Sequence, residues 1–151
     1  MNLRLLEGFD KEVCEWVAAS APFGYADFRP GDRGFAIVSG DRLIAGVVFS
    51  LWQPAFSSVE FSGAAVSSYI ASPGIVAALG HYAYRQLQAN RVWARTATRN
   101  TRAIRILRHL GFTPEGTHVD FYGPGLHAGT YRMLKREWDR KYGQQPLKVA
   151  A

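Results

Sequence analysis

The sequence predicts a mixed α/β fold of the α+β kind, a central sheet flanked by helices. Three observations carry that reading. Between Phe35 and Val66 apolar residues come in short runs cut by turn residues, as in a series of antiparallel strands. Between Pro73 and Leu87 they recur instead at helical spacing. Asn100 and Gly111 then bracket a segment with apolar residues on one face and arginines on the other, the pattern of a capped amphipathic helix.

Taken in order, Asp10 caps a first helix running to about Ala19, in which Val13, Trp16 and Val17 form a buried face. Ala21 to Gly34, rich in Pro, Gly and Asp, reads as an irregular loop. Phe35 to Val38 and Leu43 to Trp52 are strands joined by the turn Ser39-Gly40-Asp41-Arg42, and a third strand follows from about Ser57 to Val66. These three form a meander. Ser72-Pro73-Gly74 sets a cap residue before a proline at the first helical position, and Ile75, Val76, Leu79, Ala83 and Leu87 continue as a helix of about four turns. Arg91 to Ala97 is a short strand, with Val92 and Ala94 alternating against Arg91, Trp93 and Arg95. In the next helix Ala103, Ile104, Ile106, Leu107 and Leu110 share a face, and Gly111 stops it in a left-handed conformation. Phe112 to Tyr122 and Thr130 to Lys135 read as two strands around a loop containing Gly123-Pro124-Gly125. The strand-helix-strand unit from Ser57 to Ala97 makes two neighbouring strands parallel.

The chain of 151 residues fits one domain over its whole length and can bury a core without disulfides or metals. Its 48% hydrophobic and 20% charged residues place it among soluble globular proteins, not disordered or fibrous ones. The single cysteine, Cys14, has no intrachain partner and reads as a small core residue. Met1 to Gly8 lacks a secretory apolar region and no run is long enough to cross a bilayer, so a cytoplasmic location and no membrane partner are expected. His81, His109, His118 and His127 are scattered without metal-ligand spacing, so no metal is expected. The net charge of +6 is concentrated in Arg91, Arg95, Arg99, Arg102, Arg105 and Arg108, where an anion would sit. A basic chain with aromatics nearby also raises nucleic-acid binding, but no recognised motif supports it.

Asn100-x-x-Ala103-x-x-x-Leu107-x-x-x-Gly111-Phe112, followed by Glu115-Gly116, resembles the motif near the C-terminal end of the GNAT acetyltransferases, especially the branch of ribosomal-protein N-terminal acetyltransferases. The order of elements from Phe35 to Lys135 agrees with that fold, which implies a mixed sheet of six to seven strands. Gly46-Val47-Val48-Phe49 with Trp52, and Tyr131-x-Met133, are also similar to short GNAT-type proteins of bacteriophages. The resemblance implies acetyl-CoA as co-substrate and a primary amine as acceptor, on a protein N-terminus, a peptide or a small molecule.

Helix starts attract phosphate on physical grounds, because their first backbone N–H groups have no intrahelical partner. By resemblance the start at Ser72, Gly74 and Ile75 would take the CoA pyrophosphate. The family's loop keeps its central glycine here but loses its basic or amide residue and its last small residue, and Pro73 removes one donor. Ala64-Ala65-Val66 would be the strand end that receives the pantetheine arm, with Asn100, Ala103 and Arg102 beside it at the helix start. Asn100 is also a plain cap, and Arg102 with Arg105 and Arg108 also reads as a solvated face.

Acetyl transfer to an amine needs a base, a polarised carbonyl and a proton for the leaving thiolate. Glu60, the lone carboxylate of its strand and six residues before Val66, is the candidate base, with solvent exposure the competing reading. Leu107 stands where the family often has a tyrosine acid; Tyr122, foremost, His118 and Tyr69 are the candidate substitutes, each also read as a structural aromatic or loop residue, and a step without a dedicated acid is the further alternative. The altered loop and the missing tyrosine give a second reading, a catalytically inert GNAT-like binding or structural module, which the bacteriophage likeness would make phage-encoded. The sequence leaves the acceptor and the oligomeric state open, a homodimer included.

Overall fold

Short alternating runs in the N-terminal half become a sheet because each of its central strands can bury both faces. The computed structural model describes residues 2–20, 25–66 and 72–146. Its elements are β1 (Leu3–Leu6), α1 (Asp10–Ser20), β2 (Arg33–Ser39), β3 (Arg42–Gln53), β4 (Ser58–Ala65), α2 (Pro73–Gly80), β5 (Arg91–Ala97), α3 (Thr101–Leu110), β6 (Thr113–His118), β7 (Ala128–Leu134) and α4 (Lys135–Tyr142). The strands form one seven-stranded sheet in the order β1-β2-β3-β4-β5-β7-β6. Every neighbouring pair is antiparallel except β4 and β5, which are parallel across the α2 crossover. The mixed fold, the meander and the parallel pair are as the sequence predicts.

Helices cover both faces. On one, α1 buries Val13, Cys14 and Val17 against Ala36, Val38 and Val48. Cys14 is thus a core residue, fully buried. The close seat of α1 depends on Gly46 of β3, where a Cβ would stand 2.8 Å from Val17 and 3.1 Å from Trp16. On the other face Ile37, Val47, Phe49, Val59 and Val92 pack beneath α2, α3 and α4.

Two elements escape the sequence reading. β1 has four residues and exists by pairing Leu3 to Leu6 with Ser39 to Ala36 of β2. α4 buries only Trp138 and Tyr142, and its start is held by Glu137, whose Oε1 accepts from the Leu134 amide at 2.8 Å.

Other boundaries are corrected. The helix expected from Pro73 to Leu87 is α-helical only to Gly80 and then widens into a π-helical turn, His81–Gln86, where the Leu87 amide reaches the Tyr82 carbonyl at 2.9 Å. Any side chain at Gly80 would overlap the Trp138 indole, so the widening lies where α4 presses on the helix. The strand expected to reach Tyr122 ends at His118, and the last strand starts at Ala128 and gives way to α4 at Lys135. Asp10 opens α1, but its Oδ1 accepts from the Gly34 amide at 2.9 Å and so ties the helix to β2. No helix among the described residues is long and apolar enough to cross a membrane.

Candidate active site

The parallel pair is short. Only Ser58, Val59 and Glu60 of β4 pair with Arg91, Val92 and Trp93 of β5. Beyond that rung each strand follows its outer neighbour instead, β4 along β3 as far as Ala65 opposite Ala45, and β5 along β7 as far as Ala97 opposite Ala128. A fork results. Between its arms lies a cleft of about 480 Å³, walled by Phe61 to Ala65 on β4, Ala94 to Ala97 on β5, and α3 residues that include Ala103 and Leu107. Gly63, Ala64, Ala65, Ala94 and Ala97 have little or no side chain to fill the gap, so the inner edges of both strands stay open to an extended ligand.

Several predicted residues meet here. Ala64, Ala65, Asn100, Arg102 and Ala103 all line the cleft, with Arg99 beside them. Asn100 caps α3 through its Oδ1, which accepts from the Ala103 amide at 3.1 Å, and Gly111 closes the helix with φ +108°. Arg105 and Arg108 project from the exposed side of α3, as a solvated face would.

Others are elsewhere. The Val66 amide prolongs the β3–β4 pairing by donating to the Ile44 carbonyl at 2.9 Å, and its side chain is exposed. Ser72, Gly74 and Ile75 begin α2 and do not line the cleft. The expectation of several free amides at this helix start is corrected. Pro73 has none, and the amides of Ile75 and Val76 both donate to the Ser72 carbonyl, at 3.1 and 3.0 Å, which leaves Gly74 as the remaining donor of the first helical turn. Ile75 itself is a core side chain.

Glu60 ends the β4–β5 ladder, and its two strand neighbours Val59 and Phe61 turn to the opposite face, into the core beneath α2. The residue is 5% exposed, which excludes the solvent-facing alternative. Its Oε1 lies 3.6 Å from Nη2 of Arg95, while Oε2 is buried with no hydrogen-bond partner among the described residues. Ser50, directly across the β3–β4 rung, is buried beside it. Burial pushes the Glu60 carboxyl above the usual range, Arg95 and then Arg29 oppose this, and Asp32 adds to it.

Tyr122 belongs to the turn between β6 and β7, which is held by its own bonds. The Tyr122 amide donates to the Leu126 carbonyl at 2.9 Å, and Asp120 Oδ1 accepts from the Gly125 amide at 2.8 Å. The phenol is half-buried within the electrostatic reach of Arg95. Burial raises its pKa, Arg95 opposes that and Glu60 adds to it, so the hydroxyl keeps its proton at neutral pH. Leu107 is a cleft wall with no proton to give. His118 is exposed, its ring 5.9 Å from that of Phe121, and Tyr69 lies outside the described residues. Among the described residues no group of three metal-ligating side chains occurs.

Arg95 and Ser50 are the residues that sequence reasoning passed over at this site. Strand alternation carried a signal for Arg95, which shares a face with Trp93, the partner of Glu60. Nothing local marked Ser50.

A fork between parallel strands, open at its inner edges and closed by a capped helix, is joined by a sequence match: residues 10–113 fit the Acetyltransferase (GNAT) domain. The chain belongs to this family. GNAT acetyltransferases use acetyl-CoA as co-substrate, and the cleft offers small apolar walls along its strands and Arg99, Arg102 and Asn100 at the α3 end. No curated protein matches the chain. Among solved structures it resembles a chimera of the Vibrio cholerae spermidine N-acetyltransferase SpeG and hSSAT, at 15% identity over 91% of this chain and 99% of that one, with a TM-score of 0.70. A dodecameric spermidine N-acetyltransferase from Vibrio cholerae aligns at 13% identity over 95% and 99% of the two chains, with a TM-score of 0.71. At such identities the likeness is one of GNAT fold.

Proposed function

We propose that this GNAT protein moves an acetyl group from acetyl-CoA to a primary amine by direct attack within a ternary complex. The observation that carries the reading is a buried carboxylate, Glu60, on the last rung before the two strands part. In this reading the pantetheine arm runs along the open edge of Phe61 to Ala65, and Arg102 meets a phosphate. The thioester then arrives beside Glu60, where backbone N–H groups of the parting strands polarise its carbonyl.

Glu60 takes a proton from the incoming ammonium, and the neutral nitrogen attacks the carbonyl carbon. The C–N bond forms, the C–S bond breaks, the thiolate leaves with the proton that Tyr122 supplies, and the second proton shed by the nitrogen as it becomes an amide restores the Tyr122 phenol. A carboxyl held above its ordinary pKa is a better proton acceptor, and a phenol held above its own remains a donor.

The pattern from Asn100 to Gly116 makes a protein N-terminus one acceptor class, and the spermidine enzymes of like fold make a polyamine another. The inert-module reading keeps one observation in its favour, the α2 start with few free amides. Thermal denaturation with acetyl-CoA separates the two. Ligand at 100 times its dissociation constant adds about 2.7 kcal/mol of stability to a binding-competent fold and nothing to an inert one. Release of free thiol with a panel of primary amines, spermidine and peptide N-termini included, then tests transfer itself.

A further inference from the structure

Arg95 stands two residues past the last β4–β5 rung, where β5 has already left β4. Strand alternation puts it on the same face as Trp93 and therefore as Glu60. Its guanidinium engages three parts of the chain at once. One nitrogen is 3.6 Å from Glu60 Oε1 on β4. Its carbon stands 4.6 Å from the Phe121 ring centroid and 5.8 Å from that of Trp93. Its positive charge also acts on the phenol of the adjacent Tyr122, opposing the effect of burial there.

A solvated arginine gains little from such ordering, since fixing its long side chain costs rotamer entropy. Here the planar group is stacked and charge-paired in one geometry, which favours Arg over Lys. Phe121 and Tyr122 are adjacent in the turn from Val119 to His127, so both contacts bind that turn to the mouth of the fork.

We propose that Arg95 is a positioning residue that clamps the turn between β6 and β7 onto the fork, so that the Tyr122 hydroxyl and the Glu60 carboxylate face the reacting thioester together. The inference deepens the acetyl-transfer reading of this site and rests on it. The other groups facing Glu60 are Ser50 on β3, Tyr122 in the turn, and Arg29 and Asp32 from the segment before β2, the last two acting with opposite sign. Arg95 is the largest influence opposing burial of the carboxylate, so its loss leaves Glu60 protonated to higher pH.

The test compares Arg95→Gln, Arg95→Lys and Arg91→Gln in the full chain, with folding checked by thermal denaturation. Glu60 is titrated through ¹³C-labelled glutamate, its signal assigned by its absence in Glu60→Gln, and amide exchange is followed over residues 119–127. In Arg95→Gln the Glu60 midpoint moves to higher pH, exchange in the turn rises about tenfold, and turnover of the amine panel falls about a hundredfold. Arg95→Lys restores the midpoint but not the slow exchange, and Arg91→Gln matches the wild type in both. An Arg95→Gln protein with an unmoved midpoint and unchanged exchange overturns the clamp. A wild type that binds acetyl-CoA yet acetylates no amine overturns the transfer reading instead, and the titration and exchange still decide the clamp.

Discussion

β5 carries two Arg–Glu pairs four residues apart, and they behave in opposite ways. At the zipped end Arg91 donates twice to Glu115 of β6, which Arg132 also approaches at 3.4 Å. There the hydrogen bond from Arg91 dominates and the carboxyl is held below its usual range. At the parting end Arg95 meets Glu60 at 3.6 Å, burial dominates, and the carboxyl is held above it. The same two residue types thus make a structural tie in one place and, in the proposed transfer, a proton acceptor in the other. Solvent access and contact geometry decide which.

The largest expected effect sets the two glutamates apart by rate. Glu60→Gln lowers the thiol-release rate with the amine panel by about 10²–10⁴-fold, the usual range for loss of a general base, whereas Glu115→Gln leaves it near wild type. Equal losses in both would erase the distinction.

Next in size is a packing control behind the sheet. Gly80→Ala forces a methyl group into the Trp138 indole and costs about 1–3 kcal/mol in chemical denaturation, without changing the pH dependence of stability. Asn100→Ala removes the α3 cap at the cleft end, with a loss of about 1 kcal/mol and weaker acetyl-CoA binding by thermal shift.

The smallest effects are in pH dependence, and their signs differ. Glu60 binds its proton more tightly when folded, so its contribution is most favourable below the unfolded pKa and is lost as pH rises through the higher folded value. Glu115 binds its proton less tightly when folded, so its contribution is present above the unfolded pKa and is lost as pH falls through the folded value. Denaturation across acidic pH should therefore show Glu60→Gln as stable as the wild type or more so at neutral pH. Arg91→Gln should lose about 1 kcal/mol or less there.

What the sequence made legible follows the range of the forces involved. Caps act over three residues, so Asn100 and Gly111 could be read directly, as could the alternation of Arg91 to Ala97. β1 could not, because four residues hold no period and Leu3 to Leu6 become a strand only by meeting β2. α4 was hidden for another reason: a mostly charged segment shows its buried face through Trp138 and Tyr142 alone. At the site, Glu60 stood out as a lone carboxylate on a strand. The contact of Arg95 with a turn more than twenty residues away depends on β7 lying between β5 and β6, which no local pattern announces.

That inserted strand has a mechanical consequence. β7 is registered with β5 along its whole length, from Leu134 opposite Arg91 to Ala128 opposite Ala97, and β3 supports β4 as far as Ala65. Each jaw of the wedge is backed by its outer neighbour, so spreading the gap would strain ladder hydrogen bonds on both sides. An extended thiol arm laid in the gap would thus lie between two strand edges whose spacing is set from outside, by β3 and β7.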